Sequence, residues 1–142
     1  MIFRRVSKTS ERAVRAFDRV AAVGLALSGV EVAINYAGWP VLKLGGAFMA
    51  GLASHYSAEP ETLIVRIALD DRDMLLEDAP DTYYVTDYYR PHPVVLVRLS
   101  QIDRDALHDL LAMSWRLTMP KARMRRRSRS SGRSRPPNPL RR

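Results

Sequence analysis

VEVAINYAGWPVLKLGGAFMAGL, running from Val30 to Leu52, is the stretch that sets the fold. Val30, Val32 and Ile34 alternate with polar or small neighbours, the two-residue period of a strand. Gly38 and Pro40 interrupt the run, Val41 to Leu44 resumes it, and Gly45 with Gly46 separates it from a further apolar run at Ala47 to Ala53. Two glycines between apolar runs signal a hairpin, because glycine reaches positive φ without steric cost. Thr62 to Leu69 (TLIVRIAL) adds a fourth strand after a polar connection containing Glu59, Pro60 and Glu61. Four strands with short connections predict an antiparallel meander.

Upstream, Val14, Phe17, Ala21 and Leu25 recur at helical spacing. Ser10 is the predicted N-cap, Glu11 lies in the first turn, and Ser28 to Gly29 is the stop. Arg12, Arg15 and Arg19 are placed on the outer, solvated face of this first helix. The apolar stretch Val20 to Val30 is too short to span a bilayer. Glu11 and Asp18 interrupt the basic leader ahead of it, so it is not read as an export signal, and the expected compartment is the cytoplasm, with no membrane partner.

Downstream, Asp70 is expected to cap a short helix through Asp78, with Met74, Leu75 and Leu76 turned inward and Pro80 as the stop. Val94 to Leu99 (VVLVRL) is a clear strand. Ser100 and Asp103 suggest a capping box, followed by a buried stripe of Ile102, Ala106, Leu110, Met113 and Leu117 in a final helix that Pro120 ends. The expected fold is α+β, in the order α-β-β-β-β-α-β-α, with about five antiparallel strands packed against helices.

Charge divides the chain in two. Residues 121–142 hold ten of the 23 basic residues and none of the 15 acidic ones, which leaves 13 against 15 in residues 1–120. The net charge of +8 therefore belongs to the tail, and the body is close to neutral. Arg, Ser, Pro and Gly dominate the tail, which is expected to be disordered. The domain organisation is thus a single domain at 1–120 and a basic arm at 121–142. The length suits one core, and the absence of cysteine excludes disulfides and thiolate metal sites.

No catalytic, cofactor or metal site can be assembled from spacing. The three histidines (His55, His92, His108) have no paired spacing, there is no phosphate loop, and no serine lies in a nucleophile elbow. The acids Asp70, Asp71, Asp73, Glu77, Asp78 and Asp81 read as helix-start capping and dipole residues rather than a cation ridge. The segment with Tyr83, Tyr84, Tyr88, Tyr89, Arg90 and His92 is the candidate site: aromatic rings beside a cation suit stacking on bases or a planar ligand, and equally suit packing beneath a loop.

Three blocks carry a resemblance. Leu25 to Tyr36 leads into Gly38-Trp39-Pro40-Val41-Leu42-Lys43-Leu44-Gly45-Gly46. The second is Ala79-Pro80-Asp81-Thr82-Tyr83-Tyr84-Val85-Thr86-Asp87-Tyr88-Tyr89, and the third is Val94 to Leu99 with Ser114-Trp115-Arg116 and Pro120-Lys121. In this order the chain resembles the MmcQ/YjbR family over roughly residues 13–123. The resemblance implies a small double-wing α+β fold and a DNA-binding role, and it brings no catalytic residues. The family's Pro-x-aromatic-Lys pattern falls on Pro40 to Lys43, with Leu42 at the aromatic position, and Ala47 stands where the family often has lysine after the paired glycines.

Two functions follow as expectations. One is a non-enzymatic, largely sequence-independent DNA-binding protein, with RNA as a further partner of the tail. Its contacts would be Lys43, Tyr88, Tyr89, Arg90 and His92 in the body and Lys121, Arg123, Arg125, Arg126, Arg127, Arg129, Arg133 and Arg135 in the tail. The other is a protein-interaction or small-ligand module using the Tyr83 to His92 face. Body cations Arg98 and Arg116 are expected to be tied to Asp103 or Asp105, and removal of residues 121–142 separates the two functions.

Overall fold

The structure, a computed structural model, describes residues 8–53 and 58–134, with side chains over 11–53 and 58–124. Its elements are α1 (Lys8–Gly24), β1 (Val30–Ile34), β2 (Pro40–Leu44), β3 (Ala47–Leu52), β4 (Thr62–Arg66), α2 (Leu69–Asp78), β5 (Tyr83–Tyr84), β6 (Val94–Arg98) and α3 (Arg104–Ser134). All strand pairs are antiparallel, in the order β1-β2-β3-β4-β6-β5. The fold is α+β as expected, with six strands instead of about five: the extra one is the two-residue β5, too short to leave an alternating pattern.

The predicted meander is present. Leu44 pairs with Ala47, so Gly45 and Gly46 are the whole β2–β3 loop, and their φ values of 56° and 83° are what a two-residue hairpin turn of this hand requires. The register shifts between Leu42 and Lys43, where β3 carries Met49 as an extra residue. Asn35 organises the β1–β2 loop by accepting hydrogen bonds at Oδ1 from the backbone N–H groups of Ala37 and Trp39. Of the β1 alternation, only Val30 is covered; Val32 and Ile34 lie exposed on the edge strand.

One face of the sheet is buried under α1 and α3. Leu42, Ala50, Leu52, Leu63, Val65, Val95 and Val97 form it, and Phe17 and Val20 of α1 with Leu107, Leu110 and Leu111 of α3 pack on it. Both helices are rotated from their predicted phase. In α1 the buried positions are Ala13, Phe17, Val20 and Val23, while Val14 and Leu25 are exposed. Ser10 lies within the helix instead of capping it. In α3 the buried line runs Leu107, Leu110, Leu111, Ser114, Thr118 and Ala122, while Leu117 is exposed and Ala106 and Met113 are half-buried. Asp103 is itself the N-cap, its Oδ1 accepting the Ala106 N–H at 2.8 Å, so Ser100 is not needed for that role.

Three further expectations change. Arg19 is not solvated: its guanidinium donates to the Ile102 carbonyl at 2.8 Å and to the Leu99 carbonyl at 2.5 Å, tying α1 to the β6–α3 connection. Met74 is exposed, and α2 begins at Leu69 after Ala68, without a side-chain cap from Asp70. Pro120 does not end α3, which continues to Ser134 where a disordered arm was expected. Proline removes one helical N–H, and packing beyond it maintains the helix: Ala122 is buried in the core against Gly45, whose missing side chain makes the approach possible. A Cβ on Gly45 would lie 2.9 Å from that of Ala122.

Among the described residues no helix is long and apolar enough to cross a membrane.

Candidate functional site

The segment between β5 and β6 folds as successive turns. Thr86 O accepts from the N–H groups of Tyr89 and Arg90, and Tyr89 O accepts from that of His92. A buried cation in α2 fixes the exit of this segment. Arg72 is 7 % exposed, and its guanidinium donates to the carbonyls of Arg90 (3.0 Å), His92 (2.9 Å) and Val94 (3.1 Å). Among the described residues no carboxylate pairs with it; its terminal amino groups are spent on main-chain oxygens, which ties the turns to α2, while its buried Nε has no partner there.

So held, Tyr88 and Tyr89 meet edge to face, with ring centroids 4.9 Å apart and planes at 87°, and His92 lies 6.4 Å from Tyr88. They form one wall of a cleft of about 510 Å³, lined also by Phe48, Ile64, Arg66, Pro93, Val94 and Lys121. Strand register explains the floor. Arg66 pairs with Val94, and Ile64 with Leu96, on the face opposite that of Leu63, Val65, Val95 and Val97. Arg66 is steadied by a 2.9 Å hydrogen bond from Nε to the Phe48 carbonyl, which leaves the terminal amino groups of its fork without a partner among the described residues. Lys121 arrives from α3, as the first residue after Pro120, where the helix would have ended had the proline stopped it. Among the described residues the lining contains two cations and no carboxylate.

The structure thus brings together Tyr88, Tyr89, His92 and Lys121 of the sequence-predicted set. Arg90 is not among the lining residues: it is exposed, 3.7 Å from Asp87, and contributes only its carbonyl to Arg72. Lys43 sits on β2, paired with Phe48 across the hairpin, outside the cleft. Arg123 is exposed on α3. Arg125, Arg126, Arg127, Arg129 and Arg133 are carried on the α3 backbone, and Arg135 lies outside the described residues, as does His55.

The other two tyrosines are structural. Tyr83 is 6 % exposed in the core, where burial, reinforced by Asp103 and Asp109, pushes its phenol pKa up. Tyr84 hydroxyl hydrogen-bonds to Thr62 Oγ1 at 2.5 Å and accepts from the Glu59 N–H, while the Arg98 guanidinium stacks 4.3 Å above its ring. Arg98 pairs with Glu59 at 2.8 Å, in place of the expected Asp103 or Asp105. The Arg98 hydrogen bond holds the Glu59 carboxyl below its usual range and raises Arg98 in turn.

Phe48, Ile64, Arg66, Pro93 and Val94 were not singled out from sequence. The signal for Ile64 and Arg66 was present in the alternation of TLIVR, which puts them on one face. Arg72 left no such signal, because it stands among Asp70, Asp71 and Asp73 and reads as one more surface charge.

The molecule is thus an open six-stranded sheet backed by two helices, with an aromatic and cationic cleft beside α3. No known family profile matches the chain. No solved structure matches it. Uncharacterised proteins of Mycobacterium bovis and Mycobacterium tuberculosis are 32 % identical to it over 68 residues, which is 46 % of this chain and 53 % of theirs. The chain therefore spans about half the length of these relatives.

Proposed function

We propose that this is a non-enzymatic DNA-binding protein of the MmcQ/YjbR type, in which the cleft orients the nucleic acid and the basic stretch of α3 supplies most of the affinity. One observation carries the reading: Lys121, the first cation of the acid-free segment, lines the cleft formed by Tyr88, Tyr89 and His92. Cations that track phosphates suit single- and double-stranded nucleic acid alike, and exposed aromatic faces suit the unpaired bases of a single strand or a strand end. The near-neutral body then serves to position, and the helix to attract.

Because Ala122 belongs to the core, cutting the chain after Pro120 would damage the fold along with the arm. The test therefore uses the full chain with Arg125, Arg126, Arg127, Arg129 and Arg133 all replaced by Gln, titrated against labelled duplex DNA and RNA by fluorescence anisotropy at about 50 and about 200 mM salt. Six to eight neutralised phosphates give the native chain a slope of log affinity against log salt near −5 to −7, and loss of five cations should make it shallower by about 4 to 5. Absence of salt-dependent binding by the native chain would refute the proposal.

A further inference from the structure

The cleft is open to solvent and about 510 Å³ in volume, within the size range of small-ligand sites, whereas a base-paired duplex keeps its bases stacked out of reach. A nucleobase enters such a site only when it is unpaired or extruded. Its lining divides by chemistry. Phe48, Ile64, Pro93 and Val94 offer an apolar floor, Tyr88, Tyr89 and His92 offer ring faces and edges, and Arg66 and Lys121 offer charge. The ligand that satisfies all three is a planar heteroaromatic body joined to an anion. We propose that the cleft binds one unpaired nucleotide, with its base against Tyr88 and the floor and its phosphate between Arg66 and Lys121.

Four features support this occupant. Tyr88 is 67 % exposed, far more than a tyrosine packed beneath a loop, and its ring is held edge to face by Tyr89. Arg66 has its Nε satisfied by the Phe48 carbonyl, so the planar fork is oriented in advance. Among the described residues no carboxylate lines the cleft to compete for either cation. Arg72 pre-forms the wall by holding the carbonyls of Arg90, His92 and Val94, so little ordering is left for the ligand to impose. The inference rests on the DNA-binding reading for the source of the nucleotide, the frayed or overhanging end of a strand; a free nucleotide has the same chemistry.

Isothermal titration of the full chain with deoxyadenosine 5′-monophosphate, with deoxyadenosine and with inorganic phosphate tests it. The nucleotide should bind one to one and saturably, and each half alone at least tenfold more weakly. Tyr88→Ala and Lys121→Gln should each weaken nucleotide binding about fivefold or more, Tyr88→Phe should retain it, and melting midpoints should show all three variants folded. The five-arginine variant should bind the mononucleotide as the native chain does while losing affinity for long DNA. This separates the two proposals: nucleotide binding without DNA binding removes the DNA reading and leaves the cleft assignment standing, and the reverse result overturns the cleft assignment. Displacement of the nucleotide by a duplex with a 5′-phosphorylated overhang, but not by a blunt one, identifies strand ends as the source, and displacement by neither identifies the free nucleotide. No saturable binding up to about 1 mM nucleotide, or nucleotide binding undiminished by Tyr88→Ala, would overturn the proposal.

Discussion

The two faces of the sheet are built on different physics. On the covered face, aliphatic side chains from β2, β3, β4 and β6 meet two helices, and the cohesion is that of apolar surface removed from water. On the opposite face the organising groups are cations with named oxygen partners: Arg98 on Glu59 and over Tyr84, and Arg66 on the Phe48 carbonyl. Arg72 does the same work from α2 at the strand end. The difference separates stability from recognition. The two meet at α3, where Lys121 lines the cleft beside buried Ala122.

The largest break comes on the covered face. Leu111→Ala removes a fully buried side chain from between α3 and the sheet and should cost about 2 to 5 kcal/mol, read as a lower midpoint in denaturant, with nucleotide affinity unchanged at temperatures where the variant is folded. Arg72→Met sharpens the comparison from the middle. It keeps much of the buried volume but deletes the donors to three carbonyls, and should cost about 2 kcal/mol. Unlike Leu111→Ala it should also weaken nucleotide binding in the folded protein, because the wall of the cleft loses its anchor.

The smallest effect belongs to Glu59→Gln, below about 1 kcal/mol for a pair whose carboxylate is half exposed. Its signature is the pH dependence. The folded-state pKa of Glu59 is lowered, first by the hydrogen bond from Arg98, so the stabilisation is present above the usual carboxylate range and fades as pH falls through the lowered value. The native chain should lose stability more steeply than Glu59→Gln on acidification through pH ~4, measured as midpoint against pH.

How much could be read from sequence follows the same division. β1 to β4 and β6 were legible because alternation and Gly45-Gly46 act locally. The helix phases were not. Ala13, Ala16 and Ala21 beside Val14 allow α1 to be rotated either way, and the buried line of α3 includes Ser114, which donates a hydrogen bond to the Met49 carbonyl at the bulge, and Thr118. The site was half legible. Tyrosines and His92 announce themselves, and the alternation of TLIVR puts Arg66 on one face with Ile64, but an arginine whose partners are carbonyl oxygens has no partner visible in the sequence, so the roles of Arg72 and Arg19 could be found only in three dimensions. Pro120 misled for a related reason: contact with Gly45, distant in sequence, continues the helix beyond it.

The seating of Ala122 on Gly45 also sets a length. From that point α3 projects twelve residues to Ser134, about 18 Å of helix at 1.5 Å per residue. Phosphates along one strand of a duplex recur about every 3.4 Å along its axis, so a rod of this length matches about five of them. On the proposed nucleic-acid reading the cleft is the zero of a ruler, and the shortest strand expected to engage both parts is about six nucleotides long.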